Sequence, residues 1–154
     1  YQGRGEFGWR YPSNRLYTTQ PKRMAKQGDV LLSVRAPVGD INVANEDCCI
    51  GRGLAAINCE YTSFILYLMQ SLKTQLESYN GEGTVFGCIN KDDLHGIKII
   101  IPSKEVVVKF ENVCTIIDSI ISNYSQQSRS LATIRNTLLP KLMGGEIDVQ
   151  QKER

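Results

Sequence analysis

From Phe110 to Leu138 the apolar residues keep a seven-residue rhythm. Phe110, Val113, Ile117, Ile120, Tyr124, Leu131, Ile134 and Leu138 are separated by three, four, three, four, seven, three and four residues, and Gln127 is the one polar residue on the seam. This is the stripe of an α-helix that packs lengthwise against another helix. No Gly or Pro interrupts residues 105–139, and Pro140 and Gly144-Gly145 mark the expected end. At 1.5 Å per residue the predicted rod is about 50 Å long. It outreaches a domain of about 100 residues, whose radius is near ~13 Å. Burying the seam is worth roughly 10 kcal/mol gross, and leaving it wet invites aggregation. A partner helix is the favoured solution; folding back over its own domain is the alternative. Ile116 and Ile121 widen the apolar face, and Gln127 suits a register-setting role.

Before Pro102 the rhythm is different. Val30–Val34 reads as a strand by its β-branched content, residues 36–40 as a turn, Ile41–Ala44 as a partner strand, and Leu54–Asn58 as another. Ile65, Leu68, Met69, Leu72 and Leu76 give a helical stripe across Phe64–Tyr79, stopped by Asn80-Gly81. Residues 81–84 read as a loop, and Ile97–Ile101 as a strand ended by Pro102. The fold class expected is α+β: a mixed α/β domain with an appended long C-terminal helix that packs in a coiled coil. With 154 residues and 42% hydrophobic content, the chain suits one modest core plus that appendage.

Charge and cysteine usage narrow the function. The net charge is only +2, yet residues 1–35 hold seven Lys or Arg against two acids, while residues 36–102 hold four against eight. A basic segment on a near-neutral chain marks either a polyanion contact or a solvated surface. The five cysteines (48, 49, 59, 88 and 114) are odd in number and lack a Cys-x-x-Cys pair. They read as reduced, small apolar residues of a cytoplasmic protein. No apolar run reaches the length of a membrane span. The opening Tyr1-Gln2-Gly3-Arg4 reads as a cut inside a longer chain.

Enzymatic readings fail on inventory. No two prolines are adjacent, which excludes the Asn/Asp-Pro-Pro-aromatic motif of adenine methyltransferases. No lysine has an acid two residues before it, as the common metal-dependent nucleases require. No Gly-Lys-Ser/Thr is present for a P-loop, and Gly51-Arg52-Gly53 lacks the third glycine of a dinucleotide fingerprint. His95, the only histidine, would have to serve any Ser-His-acid triad, but a turn or surface role fits it better. Asp92 and Asp93 fit a solvated turn or a helix cap better than a metal site. No catalytic and no metal-binding residue is assigned.

The order of features resembles the specificity subunits of type I restriction–modification systems. Gly28-Asp29-Val30-Leu31-Leu32-Ser33 is similar to that family's Gly-Asp-Ile/Val-Leu strand opening. Gly83-Thr84, Leu94 and Ile97-Lys98-Ile99-Ile100-Ile101-Pro102 resemble the end of a target-recognition domain. Phe110 through Leu138-Leu139 resembles the conserved-region helix, and Lys141-Leu142-Met143-Gly144-Gly145-Glu146-Ile147 the terminal Lys-Leu-x-x-Gly-Glu-Ile. Two departures stand out: Ser103 follows Pro102 where the proline is often doubled, and Lys104-Glu105-Val106-Val107 replaces a Glu-Gln opening. The resemblance implies a non-catalytic, sequence-specific DNA-binding subunit that reads one half of a bipartite site. Its helix sets the distance between half-sites, and it positions methyltransferase and restriction subunits. No cofactor is implied in this chain; S-adenosylmethionine is expected on the partner methyltransferase subunits, which flip and methylate adenine. The implied domains are 1–102, a partial target-recognition domain; 103–149, the long spacer and dimerisation helix; and 150–154, a tail.

The candidate DNA contacts are Arg10, Tyr11, Arg15, Lys22, Arg23, Arg35, Arg52, Thr84 and Lys91. Cations grip phosphates, and Arg or Lys also read guanine. Arg35 and Arg52 lead, because each adjoins a turn at a strand end. The candidate helix-pairing residues are Phe110, Val113, Ile117, Ile120, Tyr124, Leu131, Ile134 and Leu138. The partners expected are double-stranded DNA, methyltransferase and restriction subunits, and a self or second helix, with no membrane. Two other readings stay open: a coiled-coil assembly protein that binds no DNA, and the recognition part of a single-chain restriction–methylation enzyme.

Overall fold

A computed structural model describes residues 1–14, 17–81 and 87–147. The strands are β1 (Met24–Ala25), β2 (Val30–Val34), β3 (Val38–Val43), β4 (Cys48–Cys49) and β5 (Leu54–Ile57). The helices are α1 (Thr62–Ser71), α2 (Lys73–Glu77), α3 (Lys91–Gly96) and α4 (Lys104–Met143), with short 3-10 turns at Arg4–Glu6 and Ser78–Asn80. The α+β class read from the sequence is the one observed. No helix among the described residues is long and apolar enough to cross a membrane.

β2 is the hub. It lies between β3 and β5, antiparallel to both, with Leu32 opposite Ile41 on one side and Ala55 on the other. Because successive side chains point to opposite faces of a strand, Val30 and Leu32 enter one core with Val43, Leu66, Met69 and Leu76. Leu31, between them, enters a second with Ala25, Ala44, Ile50 and Leu54. Burial on both faces is why this strand reads as a continuous apolar run rather than an alternation. The helices α1 and α2 contribute to the first core. The second is closed by the β1–β4 ribbon, Tyr1 and Phe7.

Asn80 and the Gly8–Arg10 segment cover the free edge of β3. The Asn80 amide accepts from the Val38 N–H (2.6 Å) and donates to the Val38 carbonyl (3.1 Å), as a neighbouring strand would. Buried Asn42 donates to the Gly8 carbonyl (3.0 Å) and accepts from the Gly8 N–H (3.3 Å). The Arg10 carbonyl then accepts from the Val43 N–H at 2.9 Å. An edge met in this way does not offer a free template for pairing.

The Gly-Asp that resembled a family signature proves to be a scaffold element. Asp29 is buried; its carboxylate accepts from the Lys26 N–H (2.8 Å) and from Asn58 Nδ2 (2.7 Å). It thereby closes the turn that delivers the chain into β2. The C-terminal Gly-Gly-Glu is equally structural. Gly145, at φ +71, takes the left-handed conformation that glycine adopts without strain. The Glu146 N–H bonds the Lys141 carbonyl (2.9 Å) and the Gly145 N–H bonds the Leu142 carbonyl (3.2 Å). These two bonds are the paired closure of a Schellman stop.

Two expectations need correction. Residues Ile97–Ile101 form no ladder among the described residues, and Ile100 is 93% exposed; β-branched composition makes a strand only where an edge is offered. The helix expected over Phe64–Tyr79 is split at Leu72, whose N–H is shared between the Leu68 and Met69 carbonyls at 3.2 Å each. The expected stop at Gly144-Gly145 is observed, with α4 running a turn past Pro140 to Met143. Proline removes one intrahelical hydrogen bond, and the Schellman closure beyond it satisfies the last carbonyls.

The chain divides into two compact units, Tyr1–Asn112 and Val113–Arg154. The first takes in the opening two turns of α4, where Val107 is buried and Phe110 packs edge-on against Phe64 and Tyr67, at centroid distances of 6.2 and 5.9 Å. The second is helical, and none of its described residues is buried.

Candidate nucleic-acid interface

At the end of β2 the Val34 N–H bonds the Gly53 carbonyl at 2.9 Å. That one bond sets Arg35, just past Val34, beside Arg52, just before Gly53. Both line a hollow of about 430 Å³ together with Gln2, Gly51 and Gly53. The glycine at 53 is required by the close approach: a Cβ there would stand 2.6 Å from the Gln2 carbonyl oxygen. Arg23 reaches the same turn from the β1 side, donating from Nη1 to the Gly51 carbonyl at 3.0 Å. Arg35 and Arg52 are exposed, and no carboxylate among the described residues pairs with either.

Other cations are already engaged. Arg4 meets Asp40 at 2.5 Å, Lys73 lies near Asp40 (3.9 Å) and Glu77 (3.7 Å), and Lys109 meets Glu105 at 2.7 Å. The Lys26 ammonium sits 2.7 Å from Asp47. The hydrogen bond and the opposite charge raise the lysine above its ordinary pKa and lower the aspartate. A larger hollow, about 530 Å³, carries Glu46 and Asp47 and, among the described residues, no Lys or Arg.

The remaining candidates are dispersed. Lys22 is exposed next to Arg23, and Lys91 is exposed at the first turn of α3, whose N-cap Asn90 accepts from the Asp93 N–H at 2.8 Å. The Ile89 N–H bonds the Val34 carbonyl at 3.1 Å, which ties this segment to the β2 end. Arg15 and Thr84 lie outside the described residues. Arg10 is not on the surface: at 9% exposure its guanidinium stacks 5.6 Å from the centre of the Tyr67 ring, and Nη2 donates to the Tyr67 hydroxyl at 3.5 Å. Tyr11 packs half-buried against the first core. Trp9, which precedes Arg10 in the chain, is by contrast 81% exposed.

Gln2 was missed. The preference of glutamine for adenine edges was the available signal, but nothing in the sequence places residue 2 beside residues 35 and 52. On α4, Val113, Ile117, Ile120, Tyr124, Leu131, Ile134 and Leu138 are 41–65% exposed. Phe110 differs, because its ring is engaged by Phe64 and Tyr67 within its own unit.

Among the described residues, then, a small antiparallel sheet bears a cationic hollow and is followed in the chain by a long helix with an exposed apolar seam. Residues 14–139 match the type I restriction modification DNA specificity domain, and the chain belongs to that family. It is 37% identical over 153 residues to a Methanocaldococcus jannaschii protein named for the specificity subunit of the type I restriction enzyme MjaX; the match takes in 97% of this chain and 36% of that protein. The HindI specificity subunit of Haemophilus influenzae is 27% identical over 135 residues, 83% of this chain and 29% of that one. The crystal structure of the HsdS subunit from Thermoanaerobacter tengcongensis superposes with a TM-score of 0.63 at 31% identity, over 95% of this chain and 37% of that chain. The chain thus spans about a third of the length of the relatives it matches.

Proposed function

We propose that this chain reads one half of a bipartite DNA site, and that α4 pairs with a second helix so that its length sets the distance to the other half. The observation that carries the reading is the convergence of Arg35 and Arg52, neither paired with a carboxylate among the described residues, on one exposed hollow with Gln2 beside them. Guanidinium groups placed so hold phosphates or guanine edges, and the glutamine suits adenine. The uncovered seam supports the helix pairing, with its own copy or with a second helix of a longer polypeptide as partner. The family supports the rest of the assembly: methyltransferase and restriction subunits bound alongside, with S-adenosylmethionine and the chemistry on them.

Fluorescence anisotropy with random duplex DNA between about 50 and 200 mM salt tests the interface. The wild-type chain should lose affinity steeply as salt rises. Arg35→Ala and Arg52→Ala should each weaken binding and reduce the salt slope by about one, with the thermal midpoint unchanged. Arg10→Ala should instead lower the midpoint. Unaltered binding in both the Arg35 and Arg52 variants would put the DNA surface elsewhere. Binding that ignores salt, or no binding at all, would favour an assembly protein.

A further inference from the structure

A guanidinium only donates hydrogen bonds, so it suits a phosphate and a guanine edge alike. An adenine edge asks for more: its N6 amine donates, its N7 accepts, and a carboxamide meets both. Among the described side chains that line the cationic hollow, Gln2 alone carries a donor and an acceptor together. The others are Arg35 and Arg52, beside Gly51 and Gly53. The main-chain acceptors of those glycines are engaged. The Gly51 carbonyl accepts from Arg23 Nη1 (3.0 Å), and the Gly53 carbonyl from the Val34 N–H (2.9 Å). Gln2 also lines the neighbouring hollow that holds Glu46 and Asp47, so it stands on the ridge between the two.

The backbone of Gln2 is anchored on both sides. The Tyr1 nitrogen donates to the Cys49 carbonyl (2.6 Å), and the Tyr1 carbonyl accepts from the Gly51 N–H (2.7 Å). The Gly3 N–H donates to Glu6 Oε2 at 3.2 Å. Between these anchors the chain runs close to the turn before β5. A Cβ at Gly51 would stand 3.0 Å from Gln2 Cα, and one at Gly53 only 2.6 Å from the Gln2 carbonyl oxygen. The side chain is left exposed, and its amide meets no partner among the described residues. A backbone ordered before the ligand arrives lowers the cost of binding. Residue 2 also lies outside the stretch matched to the family's domain, residues 14–139, so that match assigns it no role. We infer that Gln2 is a specificity-determining residue that reads an adenine: Nε2 donates to N7, and Oε1 accepts from the N6 amine. Arg35 and Arg52 supply grip beside it, and Gln2 supplies the choice of base. This inference deepens the function proposed above and rests on it.

The test is selection from a random duplex pool by the whole chain, wild type and three variants, with the thermal midpoint and the salt slope of binding measured alongside. Wild type should prefer adenine at one position by about 5- to 140-fold, the range a good bidentate pair gives. Gln2→Ala should lose that preference and keep the rest of the motif, the midpoint and the salt slope. Gln2→Glu should move the preference to cytosine, whose N4 amine donates, and Gln2→Arg to guanine. A residue that served only to seat the backbone would change the midpoint and not the base. A duplex with 7-deazaadenine at the selected position removes the N7 acceptor. It should bind wild type more weakly than the unmodified duplex, and Gln2→Ala equally well. Retained adenine preference in Gln2→Ala, loss of a preference for some other base, or a lowered midpoint with no change of base in any variant would overturn this inference and leave the proposed function standing. A wild-type chain that binds no duplex, or selects no motif, would overturn the proposed function and this reading with it.

Discussion

At the scale of single residues, buried polar side chains here complete backbone that no strand reaches. Asp29 spends its carboxylate on the Lys26 N–H and the Asn58 amide, Asn80 stands in for a strand beside β3, and Asn42 on β3 holds the Gly8 backbone. A buried donor left without its acceptor costs about 1–3 kcal/mol. Asp29→Ala should accordingly lower the stability of the chain by about that amount in urea titration, while a folded sample keeps the salt dependence of DNA binding. Had Asp29 been a reader of bases, the effects would be reversed. The Gly-Asp signature was legible as a motif, but its meaning was not: a buried turn acid and an exposed contact look alike in sequence. The same holds for Arg10, which local charge marked as a surface cation. Its burial over Tyr67 depends on α1, 57 residues further along the chain.

At the scale of elements, β2, β3, β5 and α4 were all legible, because each announces itself through a local period: continuous apolar residues for a strand buried on both faces, and a heptad for the rod. Ile97–Ile101 shows the limit of that signal. Its composition is as strand-like as that of β2, yet a strand exists only where another supplies hydrogen bonds, and none of the described strands does. On α4 the expected seam residues from Val113 to Leu138 are exposed, while Phe110 makes aromatic contacts within its own unit. Placing Leu131→Glu in the middle of the seam should therefore weaken helix pairing while leaving the first unit intact. Light scattering should show the wild-type chain associating as concentration rises and the variant remaining smaller, with an unchanged near-ultraviolet dichroism spectrum. Equal association of the two chains would mean that the seam is not the pairing face.

At the scale of the whole molecule, the proposed division of labour is between a reading unit and a ruler. Deleting one whole heptad from α4 beyond Val113 keeps the seam in phase and shortens the rod by about 10 Å, on the order of three base pairs of duplex. The half-site spacing returned from a random pool should change with it, and an unchanged spacing would sink the ruler. What the sequence determined by itself is everything that repeats locally: the class of fold, the central strands, the long helix and its seam, and the motifs that carry the family. What only the tertiary structure decided is which residues meet. Arg35, Arg52 and Gln2 share a hollow because β2 pairs with β5 and the Gly51 N–H bonds the Tyr1 carbonyl, folding distant segments together. Glu111 finds the bare start of α1 from 47 residues away. Periodicity is a property of neighbours along the chain, whereas a site is a property of neighbours in space, and those are settled by which apolar faces bury one another.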